Sequence, residues 1–511
     1  MKKAIALLLA LVMVLALSAC SKTVEPEAPA QPVAEAGDQT LNVAISFAQA
    51  SLDAYKDYYG WYTSIFGMSE ALFKMDETST AQPLLAESAV NDGKIWTVTL
   101  KDGVTFSNGD KLTADLAIRN IQRVAEVNER FAYLADFQYA AVDEKTFTIT
   151  TPEPYPTMKS DLATPELAMI DLDATTDFDA APIFTGPFVI SEFVPEGDIS
   201  VVSNDNYWNG EVKLAGAKFY YMQEDDPKQM AMENGEIDCY TSVTAAALEV
   251  YEADPETYNV TTIPATRLQF YALNENRLDA DVREAINLTV DKDAIAAYLN
   301  GTVSPAVGPF GTATPYGKVT VPAVDTEKAK GLLEADGYTL NADGIYEKDG
   351  QPLSLNICYY AARSLDTLSI LIQEQLKAVG IDSVLTVEED PDATYITTGD
   401  FDMALYSMIA DKSGDPYYCI DALFRADSRW NVAGFKSDEC EALINELQYE
   451  TDTAKRAELA NQIVQIAIDD NAFGFVGLFN KTTVMRTGIT GYSEKLPFDF
   501  YGIDATSSKA A

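Results

Sequence analysis

Strand and helix signals alternate along this chain, and the alternation limits the folds that it can adopt. The segments Ile95–Leu100 and Thr146–Thr150 alternate polar and apolar residues, as half-buried strands do. Between them, Thr113 can cap a helix whose apolar residues share one face. Strands and helices that follow one another in this way predict an α/β fold.

Several later helices are each followed by a glycine, which suits a left-handed C-terminal cap. The predicted helices are Asp291–Asn300, Thr326–Asp336 and Leu365–Val379, followed by Gly301, Gly337 and Gly380. A strand is predicted directly after the third helix, at 381–387, and this order indicates an α/β lobe with a largely parallel sheet. Two more helices are predicted at 438–450 and 453–468.

Length and composition indicate more than one core. The chain has 511 residues, of which 47% are hydrophobic and 10% aromatic. Single hydrophobic cores stop growing at roughly 250–300 residues. We therefore expect a globular protein of two or three lobes.

The first twenty residues have the character of a secretory signal. A positive start precedes an apolar run from Ala4 to Leu17, which is shorter than the roughly 20 residues that span a bilayer. The end of the run resembles the lipobox of bacterial lipoproteins, which implies that residues 1–19 are removed and that Cys20 carries a lipid. An ordinary signal peptide with an incidental cysteine is the alternative. Residues 20–39, rich in Pro, Ala and Glu, predict a flexible tether, so we expect a domain held at the outer face of the cell membrane.

Charge and histidine content exclude several classes of function. The formal net charge is −43, which repels nucleic acid and anionic lipid headgroups, so we expect no nucleic-acid partner. The chain has no histidine, which removes His-dependent nucleophile triads and His-ligated zinc. We predict neither a cofactor nor a metal site made by the protein itself.

Four cysteines follow Cys20: Cys239, Cys358, Cys419 and Cys440. No two of them form a CxxC pair, so neither a zinc site nor a thioredoxin-type motif is indicated. An even number permits disulfides in an exported protein, and buried free thiols are equally compatible with the sequence.

Five blocks, in family order, carry a resemblance to a known family. They are Asn91–Asp110 continued by Leu112–Asp115, Thr185–Phe188, Ser203–Trp208, Asn234–Asp238, and Leu273–Asn274 with Val282–Asn287 and Val290–Lys292. They resemble the peptide/nickel-type (family 5) extracellular substrate-binding proteins of ABC importers. Weaker likeness extends over roughly residues 41–490.

The resemblance implies a bilobal periplasmic-binding-protein fold of type II, cluster C. Lobe I would comprise residues 40–270 and 476–511, with an inserted subdomain at about 75–185, and lobe II would comprise 271–475. Crossings near Leu268–Leu273 and Phe475–Phe479 would form the hinge. Ligand would bind between the lobes and favour the closed form, which a membrane permease would recognise.

Some segments resemble the nickel-chelate binders of the family in particular. On that resemblance, Arg130 and Tyr133 line the cleft, where a guanidinium can hold a chelator's carboxylates without touching the metal. A solvated charge at a helix end is the alternative for Arg130. The loop Ala163–Ala168 departs from the nickel binders because it has no basic residue.

Other positions resemble the peptide binders, which present an aspartate to the ligand's α-ammonium group. The resemblance makes Asp411 the candidate for that role. Arg363, in a loop before a helix, can meet a carboxylate, and a water-exposed helix start is its alternative. The remaining predicted ligand-binding residues lie in or soon after the Asp411 loop: Tyr417, Arg425 and Arg429.

The predicted function is therefore a monomeric solute-binding lipoprotein. It captures a small peptide or a nickel or other metal chelate, delivers it to the permease subunits of an ABC importer, and catalyses no reaction. A ligand-binding receptor that reports to a sensor stays open. A surface hydrolase that uses two carboxylates is a further alternative, for which the sequence offers no specific pair.

Overall fold

The computed structural model describes residues 39–411, 414–498 and 500–510. The predicted signal peptide at 1–19, the lipidation site Cys20 and the tether up to residue 38 lie outside the described residues. Within the described ranges, no helix combines the length and the apolar character needed to span a membrane.

Twenty-two strands are present in the described residues. They are β1 (Thr40–Ile45), β2 (Phe73–Met75), β3 (Ala81–Pro83), β4 (Ala86–Asp92), β5 (Ile95–Leu100), β6 (Gln138–Ala141), β7 (Thr146–Thr150), β8 (Phe188–Phe193), β9 (Ile199–Ser203), β10 (Gly216–Tyr221), β11 (Cys239–Thr241), β12 (Tyr258–Leu273), β13 (Val303–Pro305), β14 (Thr339–Leu340), β15 (Tyr346–Lys348), β16 (Gln351–Pro352), β17 (Ser354–Tyr359), β18 (Asp382–Val387), β19 (Met403–Ile409), β20 (Phe473–Arg486), β21 (Ile489–Thr490) and β22 (Ser508–Lys509).

Helices fill the connections between the strands. The α-helices are Tyr59–Ile65, Ala114–Val127, Met158–Asp161, Asp225–Asn234, Ala245–Glu252, Ala280–Thr289, Lys292–Tyr298, Thr326–Ala335, Leu365–Ala378, Tyr395–Thr398, Tyr417–Phe424, Asp438–Tyr449 and Thr453–Asp469. Two 3-10 helices, Glu129–Asp136 and Pro165–Leu167, come after the first long helix in sequence.

The local predictions for these elements are largely confirmed. Strands β5 and β7 have the predicted bounds. The Thr113 side chain accepts a hydrogen bond from the Leu116 N–H and caps the helix that begins at Ala114. The helix predicted at 291–300 is shorter than expected, because Asp291 serves as its N-cap and accepts from the Ala294 N–H.

One sheet of 11 strands combines strands from the beginning to near the end of the described residues. Its order is β18-β17-β19-β12-β20-β11-β1-β10-β9-β8, with β13 paired to β20. Strand β1 is parallel to β10 and β11, and β17 is parallel to β18 and β19. The prediction of a largely parallel sheet was wrong, because the long strands β12 and β20 run antiparallel to each other and to their other neighbours. The sheet is mixed.

Strands β12 and β20 form a ribbon in the middle of this sheet, where its two halves meet. Residues 258–264 pair with 480–486, the pairing breaks between Pro264 and Leu268, and it resumes from Leu268 opposite Leu478. A second irregularity lies between Gln269 and Phe270. We call this pair of strands the interlobe ribbon.

Separate apolar cores lie along the two ends of the ribbon. A cluster on the β1 side contains Val484, with Val260 packed against it, whereas a cluster on the β19 side contains Leu268 and Leu478. We call the β1 side lobe I and the β19 side lobe II. The lobe boundaries 40–270 with 476–511 and 271–475 stay a prediction, as do the hinge crossings.

A smaller antiparallel sheet lies within the predicted inserted subdomain at about 75–185. Its order is β4-β5-β7-β6, and its buried residues belong to the same apolar cluster as those of β1. All four cysteines in the described residues are buried and unpaired, so the structure shows free thiols there.

Candidate functional site

A pocket of about 370 Å³ in lobe II contains one of the predicted ligand residues, Arg363. We call it the arginine pocket. It is lined by Arg267, Tyr360, Arg363, Pro391, Tyr406, Ser407, Met408, Tyr418 and Trp430. Its size falls within the range of small-molecule sites, roughly 300–1,000 Å³.

The topology of the sheet explains why these residues meet. Strands β17 and β19 are parallel neighbours, so their carboxyl ends point to the same edge of the sheet. Tyr360 and Arg363 follow β17, and Tyr406 lies in the middle of β19. Arg267 comes from β12, where it is paired with Ile409 of β19. The crevice outside the carboxyl ends of parallel strands is a common place for ligands in α/β proteins.

Aromatic rings form a wall of the pocket. The Tyr406 ring lies 5.5 Å from the Tyr360 ring at 64° and 5.5 Å from the Trp430 ring at 49°, measured between centroids. The Tyr406 hydroxyl donates to Asp392 Oδ1 at 3.1 Å. Such ring pairs hold their members in defined positions, so this wall is rigid.

The Arg363 side chain is exposed and makes no ion pair with any other described residue. Burial raises the pKa of the Tyr360 hydroxyl, and the charges of Arg363 and Arg267 partly offset that rise. Two guanidinium groups therefore act on one pocket of a strongly acidic chain. A guanidinium fork binds carboxylates in a bidentate manner, so the pocket suits an anionic group.

The loop that carries Arg363 is strained. Arg363 has φ 57° and Ser364 has φ 58°, two consecutive left-handed residues that are not glycine. Each costs about 1–2 kcal/mol for an L-residue. The Ser364 side chain makes no capping hydrogen bond to the helix that follows, so other contacts hold this conformation.

Asp411 lies in a second pocket, of about 280 Å³, at the break in the interlobe ribbon. We call it the junction pocket. Its wall combines the ribbon segment 263–266, the loop 304–314, and Glu77, Ser79, Lys495 and Pro497.

The Asp411 side chain is 2% exposed, and it accepts hydrogen bonds from the Tyr316 hydroxyl and the Gly414 N–H, both at 2.6 Å. Burial raises the pKa of the Asp411 carboxyl to about 6.

Arg130 and Tyr133 are engaged by groups of lobe I. The Arg130 guanidinium forms an ion pair with Glu166 Oε1 at 2.7 Å, donates to the Asp57 carbonyl, and lies 3.9 Å from the centroid of the Tyr58 ring. Neither Arg130 nor Tyr133 lines the arginine pocket or the junction pocket.

The Tyr133 hydroxyl donates to Asp161 Oδ2 at 2.7 Å, and the Tyr155 hydroxyl donates to the same oxygen at 2.6 Å. Burial raises the pKa of the Asp161 carboxyl to about 6.

The other predicted residues lie on or after the helix Tyr417–Phe424. The Tyr417 hydroxyl donates to Asp421 Oδ1 at 3.0 Å, and Arg425 binds the same carboxylate. Arg429 lies over the ring of Trp430, with its Cζ 4.4 Å from the centroid, but it does not itself line the arginine pocket. The structure thus places Arg363 in the arginine pocket, and the other predicted ligand residues do not line that pocket. All seven stay predicted ligand residues.

The sequence alone did not single out several residues of the arginine pocket. Arg267 and Tyr406 lie inside strands and contribute to the site only because β12 pairs with β19. Tyr406 and Met408 are half-buried and Ser407 between them is buried, yet all three line the pocket, so alternation along β19 does not mark the site.

A larger cavity, of about 670 Å³, is elsewhere. It lies in lobe I beside the C-terminal segment 490–506 and is lined by no predicted ligand residue. Its buried carboxylate, Glu70, already accepts from Thr185, Tyr207 and Trp208, which gives it a structural role. Among the described residues, no group of three or more Cys, Asp or Glu side chains is placed to hold a bare metal ion.

Comparison with known proteins identifies relatives over most of the chain. The profile of the bacterial extracellular solute-binding proteins, family 5 (middle region), matches residues 80–431. The nickel-binding protein NikA of Staphylococcus aureus is 24% identical over 474 residues, 91% of this chain and 93% of its own. The periplasmic oligopeptide-binding protein OppA of Escherichia coli is 24% identical over 476 residues, 84% of this chain and 85% of its own.

A crystal structure described as a nickel ABC transporter from Bacillus halodurans has the same fold. Its TM-score is 0.85 at 26% identity, and the alignment covers 92% of this chain and 99% of the other. These comparisons confirm the predicted family resemblance and the α/β, bilobal periplasmic-binding-protein fold.

Proposed function

Because the chain belongs to the bacterial extracellular solute-binding proteins of family 5, we propose that it captures a small peptide or a metal chelate between its lobes and delivers this ligand to the permease of an ABC importer. No covalent step is part of this function, so the protein acts as a transport component rather than as an enzyme.

The arginine pocket is the observation that carries the choice of ligand. Arg363 and Arg267 provide two guanidinium groups beside a rigid aromatic wall. Peptides with a free C-terminus and the organic chelators of metal ions share the carboxylate group. The pocket therefore holds the carboxylate that the two ligand classes have in common.

A metal would be carried here as cargo within its chelate. The chain has no histidine, and the described residues offer no cluster of ligands for a bare ion. Contacts to the chelator's carboxylates need no direct bond from protein to metal. This agrees with the nickel-related names of two relatives, which we extend to this chain only as a proposal.

Lobe closure provides the signal to the permease. The ribbon strands β12 and β20 are continuous between the two cores, and their pairing is broken between Pro264 and Leu268. Rotation at such a short irregular segment changes few backbone angles. A ligand that contacts both lobes gains those contacts only in the closed form and shifts the population towards it.

The proposal also covers the membrane anchor and the oligomeric state of the protein. Residues 1–19 act as a signal peptide, and Cys20 carries the lipid that holds a monomer at the outer face of the cell membrane. Loss of membrane association in the variant Cys20→Ser, followed in membrane fractions, tests the lipid anchor separately from ligand binding.

Native mass spectrometry of protein purified without added ligand tests the ligand class. We expect a bound mass that fits a peptide series or a metal chelate. Isothermal titration with two probes follows: trialanine, with its C-terminally amidated form as control, and Ni(II) with excess L-histidine. We expect one probe to bind with one-to-one stoichiometry, and trialanine to lose affinity when amidated. A protein that carries no ligand and binds neither probe contradicts the proposal.

A further inference from the structure

The side chain of Gln269 contacts the loop that carries Arg363. Gln269 lies in β12 and is 0% exposed. Its Nε2 donates a hydrogen bond to the Arg363 carbonyl oxygen at 2.7 Å. Its Oε1 is buried and has no hydrogen-bond partner among the described residues. A half-satisfied buried amide is costly, so its presence calls for a physical reason.

The contacted loop needs support for its shape. Arg363 and Ser364 are both left-handed, a conformation that L-residues avoid. Two further backbone bonds hold the loop, from the Ala362 N–H to the Tyr360 carbonyl and from the Leu365 N–H to the Ala362 carbonyl. The bond from Gln269 fixes the carbonyl of Arg363 itself, and with it the direction in which the Arg363 side chain leaves the backbone.

Gln269 also occupies a special position in the interlobe ribbon. It pairs with Gly477, whereas its neighbour Phe270 pairs with Phe475, so the ribbon has an irregularity at this residue. On its other side Gln269 pairs with Ser407 of β19, which lines the arginine pocket. One side chain therefore joins the ribbon, the pocket wall and the strained loop.

We propose that Gln269 is a positioning residue for the ligand: its amide holds the Arg363 loop so that the guanidinium points into the arginine pocket. Gln269 does not touch the ligand. The inference rests on the proposed function, which gives Arg363 its ligand role. The effect of Gln269 on the loop does not depend on that role and is measured separately.

The first experiment measures the loop by hydrogen exchange in protein without ligand. The variant Gln269→Leu removes the amide and keeps the volume, and Gln49→Leu is the matched control. Gln49 is 2% exposed, and neither atom of its amide has a partner among the described residues. We expect exchange of peptides spanning residues 359–366 to become about tenfold faster in Gln269→Leu and to stay unchanged in Gln49→Leu, because only the first variant releases the Arg363 carbonyl.

Unchanged exchange at 359–366 in Gln269→Leu overturns the inference. Faster exchange throughout lobe II also overturns it, because Gln269 would then stabilise the whole core and not this loop. Thermal unfolding of both variants gives the global stability against which the local effect is read.

The second experiment is a double-mutant cycle of Gln269→Leu and Arg363→Ala, with trialanine and Ni(II)–L-histidine as probes. We expect Gln269→Leu to weaken the probe that the wild-type protein binds by roughly tenfold, and to have no further effect in the Arg363→Ala background. Equal weakening in both backgrounds, or none in either, overturns the positioning role. If neither probe binds, this experiment counts against the proposed function, and if Arg363→Ala binds as well as wild type, the ligand role of Arg363 fails. In both cases hydrogen exchange alone decides whether Gln269 holds the loop.

Discussion

Arg130 in lobe I and Arg363 in lobe II are both exposed arginines next to aromatic residues, yet their surroundings differ. The Arg130 guanidinium pairs with Glu166, whose side chain is 1% exposed, and it lies over Tyr58. Arg363 has no ion pair with a described residue and shares a pocket with Arg267. One arginine neutralises a buried carboxylate of its own protein, whereas the other is available to a carboxylate from outside.

The partner of Arg130 shows what the difference depends on. Burial raises the pKa of the Glu166 carboxyl, and the charge of Arg130 counteracts this rise. A buried carboxylate without such a cation is costly, so lobe I uses Arg130 for its own stability. The availability of an arginine is thus decided by which residues the fold brings next to it.

The largest effect is expected for Arg363→Ala. Hydrogen bonds to charged groups contribute about 1.5–3 kcal/mol, so loss of the guanidinium should weaken trialanine binding by up to about 100-fold. Isothermal titration calorimetry measures this loss of affinity for trialanine. Arg277→Ala is the control, because Arg277 is a lobe II arginine paired with Asp400 and Asp402 outside the arginine pocket. Equal affinity of Arg363→Ala and wild type would remove the contrast between the two arginines.

A smaller effect, on stability instead of affinity, is expected for Arg130→Ala. The variant leaves the buried Glu166 charge unpaired, and we expect the free energy of unfolding to fall by about 2 kcal/mol, less than for a fully buried pair because Arg130 is partly exposed. Urea unfolding measures the loss. Adding Glu166→Gln to the same variant should recover part of it. A variant of normal stability that no longer binds the probe would instead support Arg130 as a ligand residue.

The pH dependence of stability offers a third comparison, at the junction pocket between the two lobes. Burial raises the pKa of Asp411 to about 6, so the native state binds this proton more tightly than the unfolded chain does. Stability from the neutral form is fully present below about pH 4 and is lost as the pH rises through about 6. Between about pH 5 and pH 8 the wild-type protein should lose about 1.4 kcal/mol more than Asp411→Asn.

Thermal and urea unfolding at the two pH values measure this difference. The nearby Asp415 raises the pKa of Asp411 further, and the Tyr316 hydroxyl and the Gly414 N–H lower it. Glu77 and Lys495 line the same pocket. Asp161, whose pKa is also about 6, contributes equally to both proteins and cancels. Identical pH profiles for Asp411→Asn and wild type would show that the pKa of Asp411 is not raised in the native state.

The smallest effect is expected for Tyr133→Phe. The variant removes one of the two hydroxyls that donate to Asp161 and leaves the Tyr155 hydroxyl in place. We expect a loss of about 1 kcal/mol in the free energy of unfolding and no change in probe affinity. Tyr155→Phe is the matched control with the same loss. A change in affinity in Tyr133→Phe but not in Tyr155→Phe would place Tyr133 in the ligand site. Lobe I would then contribute a ligand residue, as we propose for lobe II.

The sequence predicted local structure well and the candidate site only in part. Caps such as Thr113 and terminating glycines such as Gly380 act over a few residues, so their pattern is readable in the chain. The ion pair of Arg130 with Glu166 and the bond from Gln269 to Arg363 join residues 36 and 94 positions apart. Such pairings are set by the packing of distant segments, and no short-range pattern contains them.

The prediction of a largely parallel sheet was wrong for the same reason. A helix followed by a strand indicates a parallel neighbour, and β17 and β18 are indeed parallel. The interlobe ribbon adds two long antiparallel strands that come from opposite parts of the sequence. Their pairing is a long-range property, which the order of local elements does not reveal.

A crystal structure of the protein with its co-purifying ligand is the most direct measurement of where the ligand binds. We expect the ligand between the lobes with a carboxylate oxygen about 3 Å from the Arg363 guanidinium and the Arg130–Glu166 pair intact. A ligand bound to Arg130, with that pair broken and the arginine pocket empty, would contradict the contrast between the two arginines.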